Sequence, residues 1–218
     1  MANRLKWFFA DLFFPETCLN CGREGSYLCP DCEALLEIST WHQNYATQNL
    51  ADLYFPLSSK NPLCQKIIRQ FKSEPFIKDL AEVLHSLIIK HFQMLDNRPD
   101  FRDFVLVPIP LARKKLKWRG FNQAEEIAKK LAESWDMEIA ANIFSKTKDT
   151  PPQAELDKKQ KKENVKGAFS VEKPDAAQNR KILLVDDIYG SGATMEEAAR
   201  TLKDSGAREI IGIVIARD

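Results

Sequence analysis

The sequence predicts an α/β protein, a parallel sheet flanked by helices with a small cysteine-bearing module in front of it. Three observations predict it. The run Lys181-Ile-Leu-Leu-Val185 is apolar without polar alternation, as a strand covered on both faces requires. Segments with helical apolar spacing stand before and after it, at 62–95, 121–135 and 195–203. Four of the five cysteines fall in two tight pairs near the N-terminus. A chain of 218 residues has room for one α/β domain plus a small appendage, which the composition places at 46–218 and 1–45. Formal net charge is +1 and hydrophobic content 44%. That describes a soluble globular chain and gives no global reason to expect nucleic-acid binding, so charge has to be read locally.

The first segment, Arg4 to Phe14, puts apolar residues after basic ones. Asp11 interrupts it, no small-residue cleavage site precedes Pro15, and it is too short to cross a bilayer. It is read as a short amphipathic helix packed on the body. With no membrane span elsewhere, a cytoplasmic location is expected. Cys18-Leu-Asn-Cys21 and Cys29-Pro-Asp-Cys32 follow, separated by seven residues. Two Cys-x-x-Cys knuckles give the four sulfurs that Zn²⁺ prefers, and a closed site of that kind folds a module rather than catalyses. A disulfide framework or a redox pair is the competing reading. A cytosolic α/β chain disfavours both.

From Pro62 to Leu95 the text is helical, with a break at Pro75. Cys64 reads as a core residue, and His85 and His91 as structural or solvent-facing, because no other ligand types cluster with them. Phe104 to Pro110 reads as a second buried strand whose prolines end its ladder. Arg113 to Arg119 then carries five basic residues in seven positions. A loop at a strand end with that charge suits a second anionic group such as a pyrophosphate, with Arg113, Lys114 and Lys115 as its candidates. A solvated basic face is the alternative. An amphipathic helix follows to Trp135. Between Ser145 and Gly167 the chain is polar and lysine-rich without an apolar period, the composition of a lid or a disordered segment. Strands are expected at 167–171 and 209–215.

The densest signal is Asp186-Asp187-Ile-Tyr189-Gly190-Ser191-Gly192-Ala193-Thr194, set between the strand at 181–185 and a helix. Open α/β sheets bind ligands at the carboxyl ends of their strands. Gly190 and Gly192 permit positive φ and close approach, Ser191 and Thr194 offer hydroxyls, and the helix offers free N–H groups, so the loop suits a phosphate. Two adjacent carboxylates accept hydrogen bonds from vicinal hydroxyls. A ribose 5-phosphate satisfies both.

Leu184 to Thr194 resembles the motif by which type I phosphoribosyltransferases bind 5-phosphoribosyl pyrophosphate (PRPP). The resemblance implies that Asp186 and Asp187 hold the ribose hydroxyls and that Tyr189, Gly190, Ser191, Gly192, Ala193 and Thr194 hold the 5-phosphate. Val107-Pro-Ile-Pro-Leu, Arg119-Gly-Phe-Asn-Gln-Ala124, Gln153 with Leu156, Asn164-Val-Lys-Gly-Ala-Phe169 and the twin knuckles together resemble the ComF family, with its GntX-type relatives. The sequence departs from that pattern at Lys161 or Lys162, where an arginine is more usual. What the family implies is a zinc-ribbon, phosphoribosyltransferase-like protein using PRPP with Mg²⁺ and associated with competence for DNA uptake. Two competing readings stand beside it: a phosphoribosyltransferase fold that grips single-stranded DNA through the basic stretches 113–119 and 158–166 with Trp118 and Phe121 nearby, working with a helicase and uptake machinery, or a sensor of PRPP without turnover. No base for an acceptor stands out. Any hood over the site is expected from the cysteine module or the helices before Phe104.

Overall fold

The computed structural model describes residues 15–148 and 158–218. The helix expected at 4–14 and the stretch containing Gln153 and Leu156 lie outside the described residues. In chain order the elements begin with α1 (Pro30–Glu33), β1 (Asp52–Tyr54), β2 (Leu57–Ser58), α2 (Pro62–Lys72), α3 (Leu80–Met94) and β3 (Phe104–Pro108). There follow α4 (Arg113–Arg119), α5 (Gln123–Trp135), β4 (Phe144–Lys146), α6 (Lys158–Val165), β5 (Phe169–Val171) and β6 (Lys181–Val185). The chain closes with β7 (Ile188–Tyr189), α7 (Ala193–Asp204), β8 (Glu209–Ile213) and β9 (Ala216–Arg217).

The main sheet has the order β1-β8-β6-β3 and every pair in it is parallel. Alternate side chains feed two apolar layers, as the pleat demands. Leu106, Leu183, Val185, Ile211 and Ile213 face one, shared with α2, α3 and α5. Val105, Val107, Ile182, Leu184 and Ile210 face the other, shared with α7 and the β4–β5 ribbon. That double covering is why β6 could be read from its composition.

Three strands break and resume. After β1, β8 and β6 the chain leaves the ladder for two residues and returns as β2, β9 and β7, which form a second parallel sheet in the corresponding order β2-β9-β7. Asp186 and Asp187 occupy the break after β6. β3 has no continuation among the described residues. Ile109 N–H still donates to the Val185 carbonyl, 2.9 Å, and Pro110 then has no N–H to give.

Two expectations need correction. The basic run at 113–119 is a helix, α4, not a loop, and it ends at Gly120 with φ +79°. The strand near 167–171 does not join the sheet; it pairs antiparallel with β4 as a separate ribbon, and the polar stretch before it holds helix α6. Asn61 caps α2 by accepting from the N–H groups of Leu63 and Cys64. At the other end of α2, the Phe71 carbonyl, an orphan acceptor of the last turn, accepts from Nε2 of buried Gln123 at 2.9 Å. That bond ties α2 to the start of α5.

Candidate functional site

The acidic dipeptide is fixed through its backbone. Asp186 N–H donates to the Ile213 carbonyl and Ile215 N–H donates to the Asp187 carbonyl, both at 3.1 Å. Asp187 N–H donates to Asp186 Oδ1 at 2.9 Å. The loop beyond it turns at Gly192, φ +75°. A Cβ there would lie 2.4 Å from Tyr189 Oη and 2.5 Å from its Cζ, so only glycine fits. Gly190 is different, since no positive φ is needed; a Cβ there would come 3.1 Å from Asp218 Oδ2. Tyr189 is the buried prop beneath the turn, its hydroxyl donating to Glu196 Oε1 at 3.2 Å and its ring set edge-on to Tyr45. Burial, then the Glu196 charge, raises its pKa. Residues 186–195, Lys72 and Asp218 enclose a cavity of about 510 Å³, with the first turn of α7 in its wall. Gly192, the N-cap of that helix, supplies no side-chain bond; the Ala193 N–H lies 3.5 Å from Ser191 Oγ, and the positive end of the helix dipole is part of the cavity wall.

A second cavity of about 180 Å³ adjoins the first, and Lys72, Asp186, Asp187 and Thr194 belong to both. Its own wall includes Lys115, Arg119, Lys146, Asn122 and Gln123. Arg119 donates to Gln123 Oε1 at 3.0 Å, while its Nε has no hydrogen-bond partner among the described residues. Burial lowers the pKa of Arg119, and the charges of Asp187 and Asp186 oppose that. Lys72 Nζ lies 2.8 Å from Asp187 Oδ1. Asn122 Nδ2 donates to the Ile109 carbonyl at 3.0 Å and fixes the corner from which α5 starts.

Asp186, Asp187 and all six residues from Tyr189 to Thr194 line the first cavity. Lys115 lines the second; Arg113 and Lys114 are exposed on α4 and line neither. Helical spacing is the reason, because Lys115 and Arg119 are four apart and share a face that Arg113 and Lys114 do not. Lys72, Lys146 and Arg119 were not singled out as site cations. Only Arg119 had a signal, its place at the end of a basic run just before a glycine.

The four knuckle cysteines converge, with their Sγ atoms all within 4.8 Å of one another and no disulfide among them. A tetrahedral Zn²⁺ bound at 2.3 Å would hold sulfurs about 3.8 Å apart; Cys21 and Cys29 Sγ stand at 3.6 Å. Cys29 N–H and Asn20 Nδ2 point at the sulfurs of Cys18 and Cys32, at 3.5 and 3.4 Å. Burial disfavours ionisation of Cys18, but the N–H groups of Cys21, Cys29 and Asn20 outweigh it and bring that thiol down to about 6. Four convergent thiols with N–H donors suggest zinc, and a full sulfur set leaves no open position for chemistry. Cys18, Cys29 and Cys32 are buried in the same apolar cluster as α2 and α3. Among the described residues no helix is long and apolar enough to cross a membrane.

Asp186 has a pH consequence. Burial first, and the neighbouring Asp187 charge second, push its carboxyl up to about 7, against the pull of Lys72 and the Asp187 N–H. A raised pKa means that the folded chain binds the proton more tightly than the unfolded one, so the associated stability is present at low pH and is lost as pH rises from the ordinary carboxylate range through about 7. Asp186→Asn, neutral throughout, is expected to melt above wild type at pH 8, with the gap closing towards pH 5. Parallel melting curves across that range, without ligand, check this; a constant gap contradicts it.

Comparison with known proteins places the chain. The model of the phosphoribosyl transferase domain matches residues 80–218. Competence protein F of Haemophilus influenzae is 32% identical over 106 residues, 48% of this chain and 46% of that protein. The DNA utilization protein YhgH of Escherichia coli K12 is 29% identical over 197 residues, 88% of this chain and 80% of that protein. Competence protein ComFC of Bacillus subtilis is 28% identical over 192 residues, 87% of this chain and 72% of that protein. A match across most of the sheet and its acidic loop, with relatives that align over nearly nine-tenths of the chain, means that the chain belongs to the phosphoribosyltransferase-domain family, in its ComF/YhgH branch; it carries an N-terminal four-cysteine cluster.

Proposed function

We propose that the protein binds PRPP across the two adjoining cavities. The observation that carries this is the division of one acidic site into two anion environments: a loop and helix N-terminus on one side, and Lys115, Arg119 and Lys146 on the other. A ligand with one phosphate, two vicinal hydroxyls and a pyrophosphate matches that order of groups. Residues 189–194 hold the 5-phosphate, Asp186 and Asp187 accept from the ribose hydroxyls, and Lys115, Arg119 and Lys146 receive the pyrophosphate. Bound Mg²⁺ supplies further neutralisation of the pyrophosphate. In a phosphoribosyl transfer, positive charge grows at the anomeric carbon as pyrophosphate departs. The cations of the second cavity stabilise the departing charge, and the carboxylates hold the sugar in place. Calorimetric titration of PRPP with Mg²⁺ is expected to show one site in wild type and none in the Asp186→Ala/Asp187→Ala variant; equal binding to both would refute the assignment.

The cysteine cluster is assigned a structural zinc. Elemental analysis is expected to find about one zinc per chain, and Cys29→Ser, which removes a buried ligand, to lose both the metal and thermal stability. Metal-free protein as stable as the metallated form would oppose this.

One observation favours a second activity beside the first. Trp118 is 58% exposed on α4, next to the solvated Arg113, Lys114 and Lys117, and packs edge-on to Phe76 at 5.0 Å. Solvated cations interleaved with an accessible ring suit single-stranded DNA, in keeping with relatives named for competence and DNA utilization. A helicase and uptake machinery would be its partners, and a PRPP-sensing role would couple the two sites without turnover. Oligonucleotide affinity should fall steeply with salt and drop on Trp118→Ala, yet survive the double aspartate variant. Salt-insensitive binding would count against this activity.

A further inference from the structure

Lys72 stands outside everything that marks this site in the sequence. It is the last residue of α2, ahead of residues 80–218 that match the family model. Its ammonium nevertheless lies 2.8 Å from Asp187 Oδ1, with 29% of the side chain exposed, and it belongs to the walls of both cavities. Its mount is rigid. Phe71 is fully buried, packs on Phe121 at 5.7 Å, and gives its carbonyl to Gln123, which in turn accepts from Arg119.

We infer that Lys72 is an exchangeable counter-ion of the acidic pair, neutralising Asp187 before ligand binds and transferring to the pyrophosphate of PRPP when the ribose hydroxyls take the carboxylate. The inference rests on reading the two cavities as a PRPP site. Two adjacent carboxylates, one buried and one part-exposed, need a positive charge close by, and Lys72 supplies it. A hydroxyl that donates to Asp187 competes with the ammonium for the same oxygens. The displaced ammonium then needs an anion within reach of its flexible four-carbon stem, and the adjoining cavity is where one would lie. PRPP provides that anion and ribose 5-phosphate does not. Lys72 is therefore a specificity-determining residue, one that favours the pyrophosphorylated sugar over its hydrolysed form.

The test compares PRPP, ribose 5-phosphate and pyrophosphate, each titrated at fixed Mg²⁺ into wild type, Lys72→Met and Lys72→Arg. Losing one charge-assisted contact is expected to weaken PRPP binding to Lys72→Met on the order of tenfold or more, with ribose 5-phosphate unchanged or tighter and pyrophosphate alone, which brings no hydroxyl to displace the ammonium from Asp187, weakened less than PRPP. Lys72→Arg keeps the charge and is expected to keep most of the preference for PRPP, which separates exchange from loss of fold. Equal weakening of all three ligands in Lys72→Met would reduce Lys72 to a structural ion pair and overturn the proposal, as would unchanged PRPP affinity. Failure of the underlying site assignment shows separately, as absence of PRPP binding to wild type, and it removes the proposal too.

Discussion

The site depends on one constraint: two adjacent carboxylates are held where a buried parallel sheet loses its ladder. Asp186 and Asp187 cannot turn away, because the backbone of each is bonded to the strand beside it at Ile213 and Ile215. Holding two like charges in that position is costly, and the surroundings answer in two ways. Burial and the neighbouring Asp187 charge raise the pKa of the Asp186 carboxyl, and cations gather round the pair, with Lys72 in contact and Arg119 in the wall of the same cavity. What results is a site whose two carboxylates are balanced by neighbouring cations.

The parts of the chain outside the family match are mechanically joined to this arrangement. The cysteine knuckles share an apolar cluster with α2 and α3, and Glu33 of α1 pairs with Lys90 of α3. α2 is in turn bolted to the corner between α4 and α5 by the bond from Gln123 to Phe71. A four-sulfur module therefore bears on the placement of Lys72 through packed contacts, although it stands away from the acidic loop in sequence. On the opposite face the ribbon is tied to α7, because Gly167 N–H donates to Glu197 Oε1 at 2.6 Å and Arg200 holds that carboxylate. The stretch that ends in α6 and β5 is thus anchored to the helix whose first turn lines the larger cavity.

Legibility followed how local each signal was. β6 and the loop after it were plain because strand, carboxylates, glycines and helix are contiguous, and α2 and α3 because their apolar spacing runs for three or more turns. β1, β2, β7 and β9 have two or three residues each, too few for periodicity to register; they exist because a parallel neighbour offers a ladder. The basic run reads as a loop in the sequence because five cations hide the spacing that brings only Lys115 and Arg119 of that run to the cavity. Lys72 and Lys146 carried no signal, since each is an ordinary lysine at the end of an element that tertiary packing delivers to the site. Gly192 was identified from the motif, but its physical reason, the Tyr189 ring beneath it, belongs to the fold.

The central claim is that two anion environments share one acidic pair and act as a single divided site. Its most direct test is to titrate magnesium pyrophosphate into protein already saturated with ribose 5-phosphate. Two separate cavities predict that both ligands bind together, with pyrophosphate affinity retained or improved. Mutual exclusion, with each ligand displacing the other stoichiometrically, would mean a single anion pocket and would contradict the account.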